Sequence, residues 1–172
     1  MRLFIAIQFN LEIKTALLSM QEKLKSANIR GNYTKPENLH LTLAFIGEYG
    51  DPDYVLETLE QVRFKPFELS PDGVGSFGKL WWAGLSASVE LHNTAAQIWH
   101  LLADADIPFD RKKFSPHITL IREPSKPTMP AIEVPAASMV VNEISLMRSE
   151  RGRNGMIYTE IGTIRSKQDN KQ

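Results

Sequence analysis

His40-Leu41-Thr42-Leu43 and His117-Ile118-Thr119-Leu120 are two copies of one string, His-apolar-Thr-Leu, set 77 residues apart in a chain of 172. Side chains two apart along a β-strand share a face, so an extended chain projects His40 with Thr42 and sends Leu41 and Leu43 the other way, into a core. His117 and Thr119 pair in the same manner against Ile118 and Leu120. Two such strands side by side surround one pocket with two imidazoles and two hydroxyls, a set suited to acid–base work on a phosphate ester.

The correspondence spreads outward from the two strings. Residues 2–7 and 80–85 are short apolar runs 78 apart, and both read as buried strands. Asn10 followed by Glu12, and Ser88 followed by Glu90, supply a helix N-cap and an acidic first turn at the same offset. Apolar residues then recur at Ile13, Leu17, Met20, Leu24 and Ala27, and again at Leu91, Ala95, Ile98, Leu102 and Ala105, which is one face of an amphipathic helix written twice. Polar, Pro-containing loops over 32–38 and 108–116 lead each helix into its His-Thr strand. The pattern predicts an α+β fold, one domain over 1–172, in which a duplicated strand–helix–strand unit (2–47 and 80–124) forms two pseudo-symmetric lobes. Antiparallel sheets then form a central cleft, with the helices outside and one His-Thr strand from each lobe in the cleft.

Residues 53–62 read as a short helix capped by Asp53, and 64–69, 139–147 and 157–164 as strands, the last with Gly162 as a bulge. Pro124, Pro127, Pro130 and Pro135 make an extended surface connector, 73–78 is a Gly-rich stretch, and 166–172 a frayed tail. With 42% hydrophobic residues the chain has enough apolar material for a core. Lys+Arg and Asp+Glu balance at 20 each, so no global charge favours wrapping a nucleic-acid duplex. The absence of cysteine excludes disulfides, thiol nucleophiles and thiolate metal sites and points to a reducing cytoplasm. No signal peptide and no membrane-spanning apolar run is read, and a monomer is expected.

The first motif with its flanks, residues 36–47, and the second, residues 114–122, resemble the two-histidine phosphoesterase superfamily, and within it the RNA 2′,3′-cyclic phosphodiesterases also called 2′-5′ RNA ligases. The opening residues 2–7, the run 144–149 and Tyr158 extend the resemblance nearly end to end. It implies hydrolysis of RNA 2′,3′-cyclic phosphate ends to a 2′-phosphate without metal or cofactor. His40 is then the acid toward the 3′ oxygen and His117 the base toward water, with RNA ends or nucleotide cyclic phosphates as partners and 2′-5′ RNA ligation as a possible further activity. Thr42 and Thr119 are placed at the phosphate's nonbridging oxygens, and Arg122 is the family's arginine just past the second motif. Arg122 lies five residues beyond His117, the wrong parity for the same strand face, so its use requires a strand end or a bend. Two other readings remain: phosphodiesterase action on 2′-5′ oligoadenylates or nucleotide-derived cyclic phosphates, and an RNA- or nucleotide-binding module with little turnover. The intact histidine and threonine pairs argue against the second.

Trp81 and Trp82 face opposite sides of their strand, one toward the core and one toward the cleft, and Phe77 competes with the latter as a base-stacking ring. Lys35, Arg111, Lys112, Lys113, Arg151 and Arg153 are candidates to guide an RNA end. His92 and His100 lie off the apolar stripe of the second helix and read as solvated surface.

Overall fold

The computed structural model describes residues 1–167. The first half runs β1 (Arg2–Gln8), α1 (Leu11–Ser26), β2 (Asn32–Tyr33), a single 3₁₀ turn (Pro36–Asn38) and β3 (His40–Glu48). Next come α2 (Pro52–Leu59), β4 (Phe67–Leu69) and β5 (Pro71–Phe77). The second half runs β6 (Leu80–Leu85), α3 (Val89–Asp104) and β7 (Ile118–Arg122), and the chain closes with β8 (Met139–Val141), β9 (Glu143–Gly152) and β10 (Gly155–Arg165). The strands form a four-stranded sheet ordered β10-β9-β1-β3, a second ordered β2-β7-β6-β5 and a two-stranded ladder β4-β8, with antiparallel pairing throughout.

Local chemistry sets the helix starts as the sequence predicts. Asn10 Oδ1 accepts from the Ile13 amide at 3.0 Å and Ser88 Oγ from the Leu91 amide at 3.1 Å, each satisfying a donor that the first helical turn leaves free. Ile13, Leu17, Met20 and Leu24 on α1, and Leu91, Ala95, Ile98 and Leu102 on α3, are buried. Five consecutive residues of β1, Leu3 to Ile7, are buried as well, so this strand is covered on both faces.

A feature absent from the alternation pattern governs both strands that carry the His-Thr motifs, β3 and β7. Along β3, Thr42 stands opposite Ala6 and Ala44 opposite Ile5, which leaves Leu43 without a partner. Along β7, Thr119 stands opposite Trp82 and Ile121 opposite Trp81, which leaves Leu120 without one. Each is a β-bulge, and one extra residue reverses the facing of everything beyond it. Hence Leu43 and Ala44 are both buried, as are Leu120 and Ile121, and the next residues, Phe45 and Arg122, turn to the cleft side. Each bulged carbonyl is bonded from a helix of the other half: Trp99 Nε1 on α3 donates to the Leu43 carbonyl at 2.8 Å, and Gln21 Nε2 on α1 donates to the Leu120 carbonyl at 2.9 Å. Gln21 and Trp99 are themselves 78 residues apart, so the cross-bonds obey the same repeat as the strands.

Elsewhere several boundaries move. The short helix spans Pro52–Leu59 rather than 53–62, because Asp51, not Asp53, caps it by accepting from the Tyr54 amide and Pro52 fixes its first turn. The strand expected over 64–69 shortens to Phe67–Leu69, the part that β8 pairs. The strand expected over 139–147 divides at Asn142, since Met139–Val141 pair with β4 while β9 pairs with β1 and β10. The Gly-rich stretch lies in β5, whose Gly75 leaves room for the Trp82 ring, 2.2 Å from where a Cβ would stand. β10 carries its irregularity between Glu160 and Gly162, as expected for Gly162. Within the expected tail, the Ser166 and Lys167 amides bond to the Asn142 and Phe64 carbonyls, and 168–172 lie outside the described residues.

Asn10→Ala and Ser88→Ala each remove a single cap, so each is expected to lower stability by about 1 kcal/mol. A shift of the urea midpoint at unchanged m-value reads this loss.

Candidate functional site

A cleft of about 680 Å³ lies between the two large sheets and is lined by His40, Thr42, His117, Thr119 and Arg122, together with Arg2, Phe4, Phe45, Arg151 and Tyr158. The structure thus brings all five sequence-predicted site residues into one space. Arg122 reaches it because the Leu120 bulge supplies the parity change that its spacing demands, and no carboxylate pairs with it among the described residues.

The imidazoles are held alike. His40 Nδ1 lies 2.6 Å from the Asn38 carbonyl and His117 Nδ1 lies 2.8 Å from the Ser115 carbonyl, two residues upstream in each case. A carbonyl only accepts, so Nδ1 carries the hydrogen in both rings and Nε2 is the atom that gains or loses a proton. Asn38 is itself buried and anchored, its Nδ2 donating to the Met156 carbonyl at 2.9 Å. The two sites then diverge. His40 Nε2 sits 2.8 Å from Thr42 Oγ1, whereas His117 Nε2 has no hydrogen-bond partner among the described residues.

The surroundings of His40 also hold its pKa below the ordinary 6.5. Burial is the largest cause, and the nearby positive charges of His117 and Arg122 act in the same direction against the opposing bond to Asn38. Neutral His40 is therefore the favoured form in the ligand-free cleft near neutral pH, with the Thr42 hydroxyl donating to Nε2.

Aromatic rings pack each imidazole. Phe4 lies 5.0 Å from His40 between ring centres, and Tyr158 meets it edge-on at 5.2 Å and 88°. Phe77 meets His117 edge-on at 5.0 Å and 83°, with Trp82 at 6.3 Å. Phe4 and Trp82 are 78 residues apart, so the repeat that marks the histidines also marks their packing rings, a regularity that lies outside the two His-apolar-Thr-Leu strings. Trp81 is buried with Leu24, Ile29 and Ile121, as expected for one member of the pair.

Of the candidate guiding cations, Arg151 lines the cleft. Lys35 donates to the Asn154 carbonyl and so ties its loop to the β9–β10 turn, and Arg111 lies over the Phe109 ring. Lys112, Lys113 and Arg153 are exposed and do not line the cleft. Arg2 lines it although the sequence reading assigned it no role. His92 packs against Phe114, and exposed His100 lies 3.4 Å from Asp104 on the same helix. Among the described residues, no three His, Cys, Asp or Glu side chains converge in a metal-holding group. A second cavity of about 690 Å³, bordered by Lys25, Arg30 and Lys126, contains no residue of either motif.

Comparison with known proteins agrees with this architecture. The model of the 2′-5′ RNA ligase superfamily matches residues 15–153. The chain is 33% identical over 180 residues to an RNA 2′,3′-cyclic phosphodiesterase of Thermus thermophilus, covering 94% of this chain and 88% of the relative. It is 30% identical over 189 residues to one of Methanothermobacter thermautotrophicus, covering 95% and 98%. The crystal structure of apo E. coli LigT superposes with a TM-score of 0.83 at 27% identity, covering 97% of this chain and 98% of that one. The chain belongs to the 2′-5′ RNA ligase superfamily. No described helix is long and apolar enough to cross a membrane.

In an NMR titration of the ligand-free protein, His40 is expected to protonate below 6.5, and His117→Ala is expected to raise its pKa by removing a neighbouring positive charge. A His40 pKa at or above 6.5 in the native protein contradicts this electrostatic description.

Proposed function

We propose that this protein hydrolyses 2′,3′-cyclic phosphate ends of RNA, or the corresponding nucleotides, to 2′-phosphates, using His40 and His117 for the two proton transfers and no metal ion. The observation that carries this reading is the matched pair of imidazoles, each with Nδ1 fixed by a carbonyl and Nε2 left for chemistry, on opposite sheets of one cleft. In-line displacement at phosphorus places the attacking and leaving oxygens on opposite sides, and a pseudo-twofold pair of histidines serves both.

His117 Nε2, unoccupied by protein, accepts a proton from water as the water oxygen bonds to phosphorus. The P–O3′ bond breaks, and the departing O3′ takes the proton from His40 Nε2. His40 must carry that proton first, although the free cleft keeps it neutral. The substrate's negative charge offsets that of Arg122 and favours the charged form of His40 on binding. Once Nε2 is protonated, it no longer accepts from Thr42, whose hydroxyl then turns to a nonbridging oxygen. Thr119 and Arg122 complete the set of donors around the developing charge. A ribose 5′-hydroxyl in place of water gives a 2′-5′ RNA junction by the same transfers. We assign the protein to the cytoplasm, in keeping with its cysteine-free sequence, and expect a monomer.

The test is turnover of 2′,3′-cyclic AMP by point variants. His40→Ala and His117→Ala are each expected to lower kcat by about 10²–10⁴-fold with the fold intact. The double variant costs less than the product, because one missing transfer already cripples the step. Thr42→Val and Thr119→Val are milder, at most about 10²–10³-fold, since each removes one donor. His92→Ala and His100→Ala retain near-native rates. Near-native turnover by either catalytic-histidine variant, or equal losses from a control, refutes the assignment.

A further inference from the structure

We propose that Gln21 and Trp99 are positioning residues of this site: from helices outside the cleft, they hold the two β-bulges that turn Arg122 and Phe45 into it. The inference rests on the proposed role of Arg122 at the phosphate, and its geometry is independent of turnover.

The bulge decides which side of β7 carries Arg122. Thr119 and Arg122 both line the cleft although three residues separate them, because Leu120 is the unpaired extra residue. With simple alternation Ile121 would take the cleft position and Arg122 would turn toward the side where Ile121 now packs with Leu24, Ile29 and Trp81. That register is resisted by the cost of burying the Arg122 charge among apolar side chains and by the bonds the bulge keeps, since the Leu120 carbonyl accepts from the Thr34 amide at 3.0 Å. Gln21 reinforces this junction with both hydrogens of one amide, donating to the Leu120 carbonyl and to the Thr34 carbonyl at 2.9 Å each and so clamping the bulge to the chain end of β2. It is one of the few buried polar side chains, 3% exposed, and touches neither motif histidine. Trp99 performs the equivalent task at Leu43, 78 residues from Gln21, in a position otherwise suited to an apolar side chain. A side-chain donor from the other half's helix thus meets the bulge carbonyl at both symmetry-related positions, built from chemically different side chains.

A readout that a merely structural bond would leave unmoved is available in His40. The charged and titratable groups sharing its cleft are Arg2, His117, Arg122, Arg151 and Tyr158, and Arg122 is one of the two whose charge depresses it. If Gln21 sets the aim of Arg122, loss of its donor turns that charge away and His40 titrates higher. The experiment is an NMR titration of His40 in the full-length native protein, Gln21→Met, Arg122→Ala and the double variant, alongside kcat/KM on 2′,3′-cyclic AMP. Gln21→Met, which retains bulk without the donor, is expected to raise the His40 pKa in the direction set by Arg122→Ala. It should add nothing in the double variant and lower kcat/KM by roughly 10–100-fold. A Gln21→Met protein that folds with the native His40 pKa and native kcat/KM overturns the proposal, even if its Tm falls. Should Gln21→Met fail to fold, Gln21→Asn carries the same two outcomes, since it keeps a buried amide one methylene short of Leu120. The titration needs no substrate, so a protein inactive on cyclic phosphates but shifted in His40 would refute the functional reading and leave the positioning role standing.

Discussion

The bonds from Gln21 to Leu120 and from Trp99 to Leu43 are the constraint on which the rest of this structure depends. A buried carbonyl without a partner costs about 1–3 kcal/mol; Trp99 is the donor at Leu43, and at Leu120 Gln21 shares the carbonyl with the Thr34 amide. Each helix supplies a donor to the bulged strand of the other half, so the two halves are bonded to each other at both bulges. Helix docking, strand register and the facing of Arg122 are therefore one event. The cleft between the sheets follows from this exchange, because the helices that secure the bulges occupy the faces opposite to the histidines.

Pseudo-symmetry gives two histidines the same tautomer, yet chemistry requires them to differ. The difference is built from surroundings. His40 is enclosed by Phe4 and Tyr158 and bonded to Thr42, whereas His117 sits one residue before its strand with Nε2 unoccupied. The two sheets also place unlike residues at the equivalent positions beyond the bulges, Phe45 on one and Arg122 on the other. The cleft therefore carries a positive charge on one side and an aromatic ring on the other, and its two halves are not equivalent. Burial first, and the Arg122 charge with it, lower the pKa of His40 in the empty cleft.

Much of this was legible in the residues. The 78-residue offset exposes the duplicated unit, both helix caps and both apolar stripes, because each depends on local spacing that survives in a single sequence. The histidines and threonines were legible for the same reason. The bulges were not: Leu43-Ala44 and Leu120-Ile121 are simply adjacent apolar pairs, and only the register against β1 and β6 shows which residue is extra. Strand β5 was obscured by glycines that usually weaken strands, here required where Trp82 lies across Gly75. The break at Asn142 was equally hidden, since the two pieces differ only in the partners they pair with. Cross-half bonds, which set the function of Gln21, leave no mark in any window of sequence shorter than the separation they span.

The central claim is that two histidines in this cleft open a cyclic phosphodiester without a metal, with O3′ as the leaving group. Phosphorus NMR of 2′,3′-cyclic AMP incubated with the protein in excess EDTA tests it most directly. The account predicts conversion to adenosine 2′-phosphate alone. Turnover that ceases in EDTA and returns with a divalent ion, or a product phosphorylated at the 3′ position, contradicts it.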